Sequence, residues 1–74
     1  MNKKRRNKIG ELIDILKNVS GELSYLLDEE IMCMINIPEN LQDSEQYIAI
    51  EEAVDKLEDA IYRTEDAIEL LKET

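Results

Sequence analysis

Residues 44–74, SEQYIAIEEAVDKLEDAIYRTEDAIELLKET, carry a seven-residue repeat of apolar and small side chains. The repeat advances in alternating steps of three and four through Tyr47, Ile50, Val54, Leu57, Ile61, Thr64, Ile68 and Leu71. This spacing predicts a helix that packs along one seam against another helix. Ala53, Ala60 and Ala67 each precede a seam residue by one position, so their small side chains would let a neighbouring helix approach closely.

The first half of the chain carries a broader apolar stripe, which predicts a helix from about Lys4 to about Ile35. Two partly shared seams run along it: Ile9, Ile13, Leu16, Ser20, Leu23, Leu27, Glu30 and Met34 in one, and Leu12, Leu16, Val19, Leu23, Leu26, Glu30 and Cys33 in the other. A narrow seam suits one partner helix, whereas a wide stripe suits two or more. We therefore expect a dimer interface on the first helix at Leu12, Val19, Leu26 and Cys33.

Pro38 separates the two helical patterns, in a turn that we place at residues 36–43. Proline lacks an amide donor and disfavours helical geometry at the preceding residue, so the first helix should end before it. The segment 38–41 is suited to a short helical turn of its own, with Leu41 capping the core. The second helix, about residues 44–72, can be capped by Asp43 with Gln46, or by Ser44.

Two helices of similar length joined by a short turn predict an all-α, antiparallel helical hairpin. Folding the chain symmetrically about the turn puts Glu30 beside Ile50 and Glu51. It puts Leu27 beside Val54. Because a chain of 74 residues buries little apolar surface by itself, we expect the hairpin to dimerise into a four-helix bundle.

Charge is distributed unevenly along the chain, whose net charge is −9. Residues 1–8 contain five basic residues and no acid, and we expect a flexible basic tail or a frayed first turn there. Residues 9–74 hold four basic residues against all 18 acids, a net charge of −14. A body this acidic should repel nucleic acid, so a nucleic-acid partner is not expected.

Cys33 is the one cysteine, so an internal disulfide is impossible and a reducing, cytoplasmic compartment is the simplest expectation. No apolar run approaches the ~18 residues that a membrane span requires. Glu11 and Asp14 interrupt the sequence after the basic stretch too early for a secretory signal. These features predict a cytoplasmic protein with no membrane partner.

The turn NIPENLQDSEQY (residues 36–47), with Glu29 and Glu30 before it and the alanine-rich helix after it, resembles uncharacterised short helical-hairpin proteins of Gram-positive bacteria and their mobile elements. The resemblance covers most of the chain. It implies a cytoplasmic bacterial protein and transfers no catalytic residue. Ile35 departs from the pattern by putting an extra apolar group beside the turn.

Glu30 is the main conflict in the apolar pattern, because both seams of the first helix pass through it. A buried carboxylate without a partner is expensive. The nearest basic residue in the first helix is Lys17, about 20 Å away along the helix axis. We interpret Glu30 as lying near the open turn end of the hairpin, where it reaches water.

A metal site is a weaker possibility, drawn from a comparison with acidic all-α nucleotide pyrophosphatases. Those enzymes bind magnesium through carboxylates spaced E-x-x-E and E-x-x-D on neighbouring helices, a spacing that puts two hard oxygen ligands on one helix face. Here the candidate metal ligands are Glu30, Glu51, Glu52 and Asp55. The first helix lacks E-x-x-E, and histidine is absent, which excludes di-iron bundles that need E-x-x-H.

No strong chemical motif is present, so the leading hypothesis is a non-enzymatic module for protein–protein interaction, without a cofactor. The first alternative is a small magnesium-dependent enzyme like the nucleotide pyrophosphatases. The second is an acidic decoy that binds a basic nucleic-acid-binding protein.

Overall fold

The computed structural model describes all 74 residues and contains two helices packed against each other, with no strand. Helix α1 spans Lys3–Ile35 and helix α2 spans Glu45–Lys72. Together they form a rod with extents of 59 × 15 × 13 Å. The predicted all-α fold of two long helices is therefore confirmed.

The helices run antiparallel, as the grooves between them show. Near the turn, Leu26 and Glu30 line a groove with Ala53 and Leu57. Towards the other end, residues 17–20 line a groove with residues 65–72. Residues nearer the start of α1 therefore lie beside residues nearer the end of α2.

The register of the two helices differs from the expected one. Glu30 shares its groove with Ala53 and Leu57, and not with Ile50 or Glu51, so α2 is displaced by about one helical turn. Ile37 explains the difference, because this half-buried residue continues the first seam of α1 past the helix end. The midpoint of the hairpin therefore lies closer to α2 in the sequence than a fold centred on residues 36–43 would place it.

The core consists of the seam between α1 and α2. Its only buried residues are Val54, Ile61 and Ile68, each 6–8 % exposed, and all three lie on α2. The remaining residues of both predicted seams that face this contact are half-buried. Two helices cannot enclose a side chain from every direction, so the hairpin alone leaves much of its apolar surface in contact with water.

Side-chain caps fix where each helix begins. Asn2 caps α1, and its Oδ1 accepts a hydrogen bond from the Arg5 amide at 2.9 Å. Helix α1 therefore includes the basic residues that we expected in a tail or a frayed turn. At α2 the cap is Ser44 and not Asp43, since the Ser44 Oγ accepts from the Tyr47 amide at 3.2 Å.

The connection contains the expected short helical turn, a 3₁₀ helix at Glu39–Leu41. The Leu41 amide donates to the Pro38 carbonyl at 2.8 Å. The expectation that Leu41 caps the core is wrong, because its side chain is exposed. Ile37 is the half-buried residue of the connection, and the turn that follows it leaves Leu41 in solvent.

We predict that Ile61→Ala lowers the free energy of unfolding by about 2 kcal/mol or more, because it removes a buried side chain from the middle of the seam. Tyr62→Ala is the matched control: Tyr62 is the next residue and is exposed, so its loss should cost within ~0.5 kcal/mol. Urea unfolding followed by circular dichroism at a fixed protein concentration measures both. Equal losses would contradict the seam.

We predict that Gly21→Ala stabilises the protein by about 1 kcal/mol, the difference in helix propensity between the two residues. A Cβ at Gly21 meets no atom within 4 Å, so nothing in the hairpin opposes the change. A thermal melt should show the midpoint rise by about 4–8 °C for a domain of this size. A fall would show that Gly21 makes a close contact with another molecule.

Candidate interaction surface

One side of the hairpin presents two parallel rows of apolar or small side chains. Each member precedes a seam residue by one position, and successive members are seven residues apart. A pair of antiparallel helices has a two-fold axis perpendicular to their common plane, so equivalent positions open to the same side. We define the apolar face as Leu12, Val19, Leu26 and Cys33 from α1 with Ala53, Ala60 and Ala67 from α2.

The groove geometry confirms that the two rows share a side. Leu26 of the α1 row and Ala53 of the α2 row line one groove, together with Glu29, Glu30 and Lys56. The large side chains of the face are exposed, with Leu12 at 41 %, Val19 at 39 % and Leu26 at 48 %. Cys33 is an exposed free thiol, and the three alanines are half-buried. A contiguous exposed apolar surface of this kind is typical of an interaction site.

The opposite side of the hairpin is charged. The positions that follow a seam residue by one include Lys17 on α1 and Glu51, Glu58 and Glu65 on α2. A groove on this side is lined by Lys17, Ser20, Glu65, Ile68, Glu69 and Lys72. The apolar face has no charged member, whereas this side carries three acids on α2, and on α1 only Lys17 is charged among Gly10, Lys17, Ser24 and Ile31.

Charged residues also flank the apolar face, along its two long edges. Three positions beyond Val19 and Leu26, the α1 edge carries Glu22 and Glu29. Three positions beyond Ala53 and Ala60, the α2 edge carries Lys56 and Arg63. The exposed Arg63 Nε lies 3.0 Å from Asp59 Oδ2 on its own helix, and Lys56 makes no salt bridge in the structure.

Each edge also carries one large apolar residue closer to the chain ends, and the series continues to Lys8 on α1 and to Ala49 on α2. Ile15 follows Leu12 by three positions, and Leu70 follows Ala67 by three. Both side chains are exposed, Ile15 at 55 % and Leu70 at 65 %. The apolar surface therefore widens towards the end of the rod that is remote from the turn.

The four candidate metal ligands do not converge in the structure. Glu30 is half-buried and lines the groove on the apolar side. Glu51, Glu52 and Asp55 are exposed on α2, and Glu51 belongs to the charged side. No group of three His, Cys, Asp or Glu side chains is placed to hold a metal ion.

Glu30 lines a groove that is also lined by a positively charged side chain. Lys56 of α2 lines that groove, although it forms no salt bridge with Glu30. Lys17, the nearest basic residue of α1, is too far from Glu30 along the helix to pair with it, whereas Lys56 lies on the other helix. The signal that identifies Lys56 is the register, since a displacement of about one turn along α2 brings it near Glu30.

Ser20 and Thr64 are the hydroxyl-bearing members of the two seams, and the hydroxyl of Thr64 is bonded within its own helix. The Thr64 hydroxyl donates to the Ala60 carbonyl of its own helix at 2.7 Å. This is the backbone-bonded arrangement that threonine commonly adopts inside helices. The Thr64 hydroxyl is therefore satisfied without a partner across the seam.

The largest surface depression lies on α1 alone. It is centred on Gly21, where the absence of a side chain leaves a shallow space between Lys17 and Tyr25. Glu22 is the only acid that lines it, and no second helix closes it. Its side chains do not form a catalytic arrangement.

No known protein family, curated protein or solved structure gives a significant match to the chain. Neither helix combines the length and the apolar character that a membrane crossing demands. The surface itself therefore has to carry the functional argument.

We predict that magnesium or manganese shifts the melting midpoint of the protein and of Glu52→Gln by the same small amount. The reason is that the exposed carboxylates screen their mutual repulsion with cations but do not form one ligand set. Thermal melts at increasing metal concentration provide the measurement. A saturable shift in the unmodified protein that Glu52→Gln abolishes would instead establish a metal site.

Proposed function

We propose that the protein is a non-enzymatic interaction module whose hairpin pairs with a second copy through the apolar face, giving a four-helix bundle. The observation that supports this most directly is the composition of that face. Seven of the eight equivalent positions between Leu12 and Cys33 on α1 and between Gln46 and Ala67 on α2 are apolar or small, Gln46 being the exception, and their larger side chains are exposed in the hairpin. In a hairpin that functions alone, such positions would carry polar residues at no cost to the seam.

The energetics of the hairpin favour association. Only three residues are buried, which is a small core for 74 residues. Full burial of a leucine or valine side chain contributes about 1.5–3 kcal/mol, and Leu12, Val19 and Leu26 are each available from both copies. These side chains are only 39–48 % exposed in the hairpin, so covering them in both copies contributes on the order of 4–8 kcal/mol, which offsets part of the entropic cost of association.

The charged side remains free in such a bundle and would contact other proteins. Residues 9–74 carry a net charge of −14, and the acids of α2 lie away from the apolar face. Potentials of this sign attract basic partners and repel nucleic acid. This charge also favours the second candidate function, an acidic decoy for a basic nucleic-acid-binding protein.

The proposed setting is the cytoplasm of a bacterium. The reducing compartment is inferred from Cys33, a free thiol on the surface that we assign to self-association. The bacterial origin rests on the resemblance of the turn sequence to Gram-positive hairpin proteins.

We predict that Leu26→Glu converts a dimer into a monomer, since two like charges would then lie within an apolar interface. Tyr25→Glu is the matched control. Tyr25 is the preceding residue and is 67 % exposed, but it points away from the apolar face, so this variant should keep the dimer. Light scattering across a tenfold range of concentration gives the mass of each protein.

Three results of that experiment would count against the proposal. A monomeric unmodified protein would show that the face is not covered by a second copy. An unchanged mass for Leu26→Glu, or an equal loss of mass for Tyr25→Glu, would show that association uses another surface.

The decoy function predicts a complex with a basic protein that weakens steeply as salt is raised, because the attraction is between exposed charges. Removing residues 1–8 should preserve the complex, since that stretch carries the opposite charge. Titration calorimetry at two salt concentrations tests both points. A complex that is insensitive to salt, or that needs residues 1–8, would contradict the decoy.

A further inference from the structure

The arrangement of the two copies can be derived from the edges of the apolar face. This inference rests on the proposed self-association. Two hairpins that meet face to face with two-fold symmetry have two choices. With the axis along the rod, α1 of each copy lies over α2 of the other, and both turns are at the same end. With the axis across the rod, α1 lies over α1, α2 lies over α2, and the turns are at opposite ends.

Side-chain size favours the axis along the rod. The α1 row of the apolar face contains leucine and valine, whereas the α2 row contains only alanine within residues 53–67. When α1 lies over the partner's α2, each large side chain meets an alanine row and the two layers remain evenly spaced. The other arrangement sets large residues against large ones and alanines against alanines. The distance between the two α1 helices would then be larger than the distance between the two α2 helices, and the layers could not pack evenly.

The heights of the edge residues provide an independent argument. Glu29 and Lys56 line the same groove, so they lie at the same height along the rod, on opposite edges of the face. Steps of seven residues along the antiparallel helices then place Glu22 at the height of Arg63, and Ile15 at the height of Leu70.

A second copy related by the axis along the rod brings these edges together. Its α2 edge lies over the α1 edge of the first copy at unchanged height. Glu29 then meets a lysine and Glu22 meets an arginine. Ile15 meets a leucine, so the apolar ends of the two edges also coincide. Each contact occurs twice by symmetry.

The axis across the rod produces the opposite pattern. The α1 edges then face each other with Glu22 and Glu29 on both sides, and the α2 edges face each other with Lys56 and Arg63 on both sides. In that arrangement neither Glu22 nor Glu29 can lie over Lys56 or Arg63, so none of the four opposite-charge pairs forms.

We propose that two copies of this chain form a four-helix bundle whose two-fold axis runs along the rod. In it Glu22 pairs with Arg63 of the second copy, Glu29 pairs with Lys56 of the second copy, and Ile15 packs against Leu70. The charged edges set the orientation of the partner, and the apolar face provides the affinity.

Three variants test this arrangement by sedimentation equilibrium. The first is Glu22→Lys with Glu29→Lys, the second is Lys56→Glu with Arg63→Glu, and the third combines all four changes. Each double variant should raise the dissociation constant of the dimer by about tenfold or more, because four attractive pairs become repulsive. The fourfold variant should return to within about threefold of the unmodified protein.

Net charge separates this effect from general repulsion. The first double variant changes the net charge from −9 to −5, since each of its two substitutions adds two positive charges. If only overall charge mattered, this less charged chain should associate more tightly than the unmodified protein. Weaker association of that variant therefore supports specific pairing. It also leaves the Arg63–Asp59 ion pair intact, so helix content by circular dichroism should remain unchanged.

The possible failures are distinguishable. A dimer whose constant is the same in all three variants would overturn the orientation but keep the self-association. A double variant that associates more tightly would overturn it too. A monomeric unmodified protein would instead overturn the proposed function on which the inference rests.

Discussion

Two helices share only one seam, and that seam can cover only one side of each helix. This constraint determines the rest of the structure. The narrow repeat of α2 fits the seam, which is why Val54, Ile61 and Ile68 are the buried residues. The stripe of α1 is wider than the seam, so α1 contains no buried residue and its second row stays exposed. An apolar face follows directly from pairing a wide stripe with a narrow one.

The rows of residues on the two sides of the seam differ in chemical character. On one side the flanking positions of both helices are mostly apolar, and on the other the flanking positions of α2 are all charged, with three acids and Lys72. With the axis along the rod, the basic first turns of both copies lie at one end, remote from both connections. The proposed bundle would then present acidic sides and one basic end.

Much of the fold is predictable from local sequence signals. The period of residues 44–74 determines α2 and its seam, and Pro38 determines that α1 ends before it. The sequence does not decide the cap of α2, because Asp43 and Ser44 both carry a suitable side-chain oxygen. The position of Leu41 was predicted wrongly, since its exposure depends on how the whole connection lies over the end of the rod.

The register was the part that sequence could not supply. Counting residues outwards from the middle of the turn assumes that the two halves of the connection are equally long. Ile37 and the 3₁₀ helix instead lengthen the half that adjoins α1. The α1 row of the candidate surface was predicted from spacing alone. The pairing of Glu29 with Lys56 at one height was not, because a shift of one turn moves every cross-helix neighbour. The register could be found by aligning equivalent positions of the seven-residue repeat on the two helices.

The most direct test of the bundle is the distance between nitroxide labels on the connections of the two copies, measured by electron spin resonance. The label is attached to Asn40→Cys in a Cys33→Ser background, because Asn40 is exposed in the connection, whereas a label on Cys33 would lie inside the proposed interface. Light scattering verifies that the labelled protein keeps its mass. With the axis along the rod, both connections lie at one end, so we predict a separation on the order of 20 Å. With the axis across the rod, the connections lie at opposite ends of rods 59 Å long, and a separation of about 45 Å or more would contradict the account.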